Sequence, residues 1–146
     1  MTQAHWLPVT STASARGRMR VGERDIALPF AAERFFIVDG VPEGDIRGDH
    51  AHRTCHQLLI CTVGRVLVTT HGGEGGPASF LATPDSGCVH IPPLVWATQQ
   101  YETADSQLLV LASEPYDADE YIRDRGEFEA IIRAPLDLAA ATRISP

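Results

Sequence analysis

The chain has 146 residues, 44% of them hydrophobic and 21% charged, which fits one globular domain with a single sizeable core. Twelve basic against nineteen acidic residues give a net charge of −7. That balance excludes a nucleic-acid backbone or an anionic membrane as the main partner, because both call for a basic surface, but it leaves room for a phosphorylated small ligand held by a few local arginines. The N-terminal stretch MTQAHWLPVTSTASARGR has no apolar segment of signal-peptide length, and no run approaches the roughly 20 apolar residues of a membrane span. The three cysteines (Cys55, Cys61 and Cys88) show no CxxC spacing; reduced thiols in a cytoplasmic protein are expected.

Short β-rich runs fill the middle of the chain. ERFFIVD (33–39) precedes the turn residues of VPEGD. QLLICTV (57–63) and RVLVTT (65–70) are divided only by Gly64, which predicts a tight reversal or a bulge. HGGEGGP (71–77) is a glycine-rich loop, and SFLA, CVHIP and LVWATQQY continue the series. QLLVLAS (107–113) is nearly all apolar and is expected to be a central strand covered on both faces. The period changes only towards the end. In DADEYIRDRGEFEAIIR (117–133), Tyr121, Phe128, Ile131 and Ile132 recur at roughly helical spacing, with Asp117 as cap and Gly126 as a break. APLDLAAATRISP (134–146) reads as a loosely held terminus. Many short strands followed by a helical tail predict an all-β barrel or sandwich in one domain.

The most informative stretch runs from Gly44 through His50, His52 and Gln57 to Gly64. Residues two apart on a strand project from the same face, so His50 and His52 would enter a barrel mouth together. Two adjacent imidazoles serve either as metal ligands or as a proton-transferring pair near neutral pH; the structural alternative is a pair of polar residues at a strand end. Gly44, His50, His52 and Gly64 fall in register with the first motif of the cupins, in which a glutamate follows the H-x-H. Here Gln57 replaces that glutamate, a poor ligand for a divalent cation. In Ile91-Pro92-Pro93-Leu94-Val95-Trp96-Ala97, Ala97 stands where the last metallocupin histidine would be. With two of the four usual ligands missing, no metal is expected, although His56 and His90 are available as substitutes.

The chain resembles the dTDP-4-dehydro-6-deoxyglucose 3,4-ketoisomerases (FdtA/QdtA-like, also called WxcM-like) over residues 14–128. The resemblance rests on ARGRM with ALPF, RGDHAH (47–52), HIPPLVWATQQYE (90–102) and LLVLASEPYDADEYIRD (108–124), all in the same order. It implies an RmlC-like jelly-roll cupin with a short C-terminal helical tail, acting as a homodimer with exchanged strands on a dTDP-sugar, without cofactor or metal. His50 and His52 then take the family's catalytic places, and Arg47 shares their motif. The strand after Arg34 reads Phe35-Phe36-Ile37, where the family commonly has a tyrosine.

The chemistry agrees with that resemblance. Moving a ketone from carbon 4 to carbon 3 needs a base for the carbon 3 proton, reprotonation of the enediol at carbon 4, and proton movement between the oxygens. Arg47 either faces ligand or pairs with a carboxylate, and Arg34 has the same two readings. Trp96 either stacks on a base or sugar or fills the core; Tyr101 is a further substrate-binding candidate. Tyr116, Tyr121 and Arg123 are read mainly as docking the tail. A cupin enolising, epimerising or dehydrating another metabolite, and a non-catalytic ligand-binding cupin, are the alternatives.

Overall fold

The computed structural model describes residues 3–25, 27–73 and 75–142, with side chains placed as far as Ala134. Two five-stranded antiparallel sheets face each other. The first runs β1 (His5–Leu7), β9 (Cys88–Ile91), β6 (Gln57–Val63), β11 (Gln107–Ala112) and β4 (Arg34–Val38). The second runs β12 (Tyr121–Ile122), β5 (Ile46–His52), β10 (Trp96–Tyr101), β7 (Val66–His71) and β8 (Ala78–Ala82). β2 (Thr10–Ser14) and β3 (Gly17–Val21) form a hairpin that, among the described residues, pairs with no other strand. Strand alternation sends Leu59, Val66, Val68, Val89, Leu108 and Val110 into the space between the sheets, where they are essentially inaccessible to water. The architecture is an open jelly roll whose two sheets do not join into one ring.

Gly64 does not close a hairpin. β6 and β7 belong to different sheets, so the chain turns a corner there with Gly64 at φ +77°. A Cβ at this position would lie 2.7 Å from Ser106 Cα, and only glycine combines that φ with that approach. β11 also departs from expectation. Leu108, Val110 and Ala112 are buried, but Leu109 and Leu111 on its other face are only half-covered. They lie in register with Ile37 and Phe35 of β4, which are 53% and 66% exposed.

The C-terminal segment is assembled differently from its helical reading. Asp117 caps only a single 3-10 turn (Ala118–Glu120), accepting from the Asp119 amide at 2.9 Å. Tyr121 and Ile122 then pair with His52 and Ala51, because the free edge of β5 offers backbone partners that a helix would forgo. α1 (Arg125–Thr142) begins only after Asp124, whose carboxylate accepts from the Glu127 amide at 2.7 Å. Gly126 therefore sits in the first turn of α1 and breaks nothing. Phe128, Ile131 and Ile132 gather on Leu94, Trp96, Ala51 and Ile122 to make a second, smaller core. The stretch expected to be loose is helical as far as Thr142; residues 143–146, and Glu74 of the glycine-rich loop, lie outside the described residues. Among the described residues no helix is long and apolar enough to cross a membrane.

Candidate active site

β5 carries both histidines, and a bulge aims them. His50 opposes Ala97 and Gly48 opposes Thr98, leaving Asp49 as the extra residue. Gly48 (φ +81°) and Asp49 (φ +61°) both adopt the left-handed region. The Asp49 carboxylate is tied by the Trp96 indole N–H, donating at 3.1 Å, which offsets the cost of that backbone for a residue with a Cβ. A Cβ on Gly48 would fall 3.0 Å from the Ala97 carbonyl oxygen. The bulge is thus held by one glycine and one indole–carboxylate bond immediately before the first histidine.

Beyond it the two rings meet edge to face, His50 Nε2 lying 3.2 Å from His52 Nε2. One of these nitrogens donates to the other, so the pair holds opposite tautomers when neutral. Both Nδ1 atoms are buried without a hydrogen-bond partner among the described residues. Burial pushes the pKa of His52 down to about 4, helped by the neighbouring His50 and resisted by Glu120. Burial also lowers that of His50, while the Gly48 carbonyl and the Asp49 carboxylate pull the other way. Both rings are therefore neutral near pH 7 and able to accept a proton.

Four further residues surround the histidine pair. The Tyr121 ring packs on both imidazoles, with centroid separations of 4.9 Å from His50 and 4.5 Å from His52. Arg34 Nη2 donates to its hydroxyl at 3.5 Å, and the Arg123 guanidinium lies 4.6 Å from its ring centre. Glu120 staples this segment down, accepting from the Thr54 amide and hydroxyl and from the Cys55 amide at 2.8–3.2 Å. Burial works to raise the Glu120 pKa, but those bonds outweigh it and the net shift is downward. His50, Tyr121 and Arg123 wall a cavity of about 220 Å³, into which Arg47, Gln57 and Gln99 also face, while His52 stands behind His50 in contact with its ring.

The structure brings Arg47, His50 and His52 together, with Arg34 reaching the site through Tyr121. It does not bring Trp96 or Tyr101. Trp96 is 3% exposed, packs against Phe128 and Arg125, and acts on the site only through Asp49. Tyr101 is fully buried in the main core, with its hydroxyl unpartnered among the described residues. Neither has surface to offer a ligand. Tyr121, Arg123 and Asp49 escaped sequence reasoning, because Tyr121 looked like a helix-packing residue and its pairing with His52 is long-range.

His56 and His90 cannot complete a metal site with His50 and His52. Val89 and Ile91 point into the core, so alternation turns His90 outward. There it meets His56 at 3.0 Å through Nε2 and His5 at 3.4 Å through Nδ1. That arrangement is a line of imidazoles, since the central ring spends a different nitrogen on each neighbour. Among the described residues no three His, Cys, Asp or Glu side chains converge as a metal-binding group. The three cysteines are free and buried.

The sequence model of the WxcM-like, C-terminal family (FdtA) matches residues 2–133. The chain belongs to this family. The TDP-4-oxo-6-deoxy-alpha-D-glucose-3,4-oxoisomerase of Aneurinibacillus thermoaerophilus is 30% identical over 118 residues, 81% of this chain and 84% of its own. The crystal structure of QdtA, a sugar 3,4-ketoisomerase from Thermoanaerobacterium thermosaccharolyticum in complex with TDP, superposes with a TM-score of 0.83 at 28% identity. The match covers 91% of this chain and 96% of that one. The RmlC epimerase of Mycobacterium tuberculosis, 14% identical with a TM-score of 0.72 over 81% of this chain and 66% of its own, shares the fold alone. The fold that the family resemblance implied, an RmlC-like jelly roll with a C-terminal helix, is the one observed.

Proposed function

We propose that this protein is a nucleotide-sugar 3,4-ketoisomerase, moving the keto group of a dTDP-4-keto-6-deoxyhexose from carbon 4 to carbon 3 by histidine acid/base catalysis. The observation that carries the reading is a pair of neutral, buried imidazoles in contact, of which His50 lines a cavity shared with Arg47, Tyr121 and Arg123, in a chain whose relatives are ketoisomerases of TDP-sugars. Either ring takes the proton at carbon 3, which the adjacent carbonyl acidifies, and returns it to carbon 4. None of the twelve cationic residues is a lysine, so no side-chain amine exists to form an imine with the ketone, and enolisation is the route left to these residues. The cavity is below the size of a typical ligand pocket and suits a sugar ring rather than a whole nucleotide sugar. The diphosphate then lies towards the solvent side, within reach of Arg47 or Arg123.

The test is incubation with dTDP-4-keto-6-deoxyglucose in deuterium oxide. Deuterium should enter carbon 3 of recovered substrate or carbon 4 of a 3-keto product; a substrate that binds and emerges unlabelled overturns the reading.

In our reading this single cupin domain works in the cytoplasm as a homodimer with exchanged N-terminal strands. The exposed outer row of Phe35 and Ile37, continued by half-covered Leu109 and Leu111, supports a second copy as its cover. So does the fully exposed β2, in a hairpin without a sheet of its own. Sedimentation should give twice the chain mass, and Phe35→Glu with Ile37→Lys should yield monomers. A monomeric native protein refutes the dimer and leaves the chemistry standing.

A further inference from the structure

Ketone transfer moves two hydrogens: one passes from carbon 3 to carbon 4, and one from oxygen 3 to oxygen 4. The histidine pair accounts for the first. The second needs a group that donates and accepts at a single atom, and arginine and glutamine side chains cannot do so. Tyr121 is the one hydroxyl-bearing side chain among those lining the cavity. Its ring lies on both imidazoles, and its oxygen accepts from Arg34 Nη2, which leaves the phenolic hydrogen free to turn away from Arg34.

Resting on the ketoisomerase reading, we infer that Tyr121 is a third catalytic residue whose hydroxyl carries the proton between the two sugar oxygens. In the first step a histidine takes the carbon 3 hydrogen as the phenol gives its proton to oxygen 4. The products are the enediol, an imidazolium and a phenoxide. In the second step the phenoxide takes the proton from oxygen 3 as that oxygen becomes the carbonyl, and the imidazolium delivers its proton to carbon 4. Histidine and phenol end as they began, and no oxidant or reductant is consumed. Arg34 and Arg123, beside the hydroxyl and over the ring respectively, stabilise the transient phenoxide. Arg34 is in this respect a positioning residue, acting through the phenol.

Tyr121→Phe keeps the ring and its packing on the imidazoles and removes only the hydroxyl. Its turnover of dTDP-4-keto-6-deoxyglucose should fall about 10²- to 10³-fold, with KM and TDP affinity within about 3-fold of the wild type. Deuterium entry at carbon 3 should fall less than product formation does, because proton removal from carbon survives the loss of the oxygen shuttle. Arg34→Gln, which retains the phenol, should show the same signature at roughly a tenth of the size. Wild-type turnover in Tyr121→Phe, a loss confined to KM, or equal losses of exchange and product formation would each overturn the inference. A wild-type protein that exchanges nothing overturns the ketoisomerase reading and this inference together, and the wild-type control distinguishes that failure from the others.

Discussion

His50→Asn and His52→Asn should each lower keto transfer by about 10²- to 10⁴-fold, the range that a positioned proton-transfer group supplies. The rings touch at 3.2 Å and share one hydrogen bond, so removing either changes the tautomer and setting of the other. The double variant is accordingly expected to be little worse than the poorer single one, as in other units that act together. Both side chains sit against Tyr121 rather than in the main core, so melting temperature should move little. The acid limb of kcat/KM gives a second check. A base must be neutral to work, and burial holds both rings below the ordinary histidine value of 6.5. Activity should therefore persist below pH 6.5 and fade at lower pH. Full turnover in both single variants, or an acid limb centred above pH 7, would remove the pair from the mechanism.

The same burial makes the fold sensitive to acid. His52 and His90 each have a pKa near 4 in the folded protein against 6.5 when unfolded, with burial the main cause in both. Between those values the unfolded chain binds more protons than the folded one, so stability falls as pH drops through 6.5 and the loss levels off only below about 4. His52 corresponds to roughly 3 kcal/mol at the low end, and His90, which solvent screens more, adds a smaller amount. The sum is a sizeable fraction of the whole stability of many domains. Urea midpoints measured at fixed protein concentration should drop steeply from pH 7 to pH 4.5. His90→Leu should flatten part of that slope, because leucine has no proton to bind. A midpoint unchanged across this range would mean that neither ring is buried as described.

Period-two patterning made much of this legible. It placed His50 beside His52, and it marked β4, β6, β7 and β11 within a residue or so of their observed ends. Family motifs then supplied what spacing alone leaves open, the jelly-roll topology. The misses share a cause. Gly64 reads as a hairpin turn locally, but sheet membership is decided by partners far along the chain. Trp96 and Tyr101 were candidates for ligand contact because aromatics stack on bases. Nothing in the sequence says that Trp96 would instead tie Asp49 and roof the second core, or that Tyr101 would be swallowed by the first. Tyr121 was assigned to a helix because Phe128, Ile131 and Ile132 continue its spacing. The edge of β5 won because it offered backbone hydrogen bonds as well as burial.

The short strand that covers the histidines has a wider bearing. It arrives from the far end of the polypeptide and is anchored by the Glu120 staple and by α1 packing on Trp96. The β-roll can thus complete its main interior before the reaction centre exists, and a segment that follows it in the chain finishes the workplace. Anyone grafting the paired-imidazole ribbon onto another scaffold would have to transplant that distant strip as well, or receive two stranded rings with no lid.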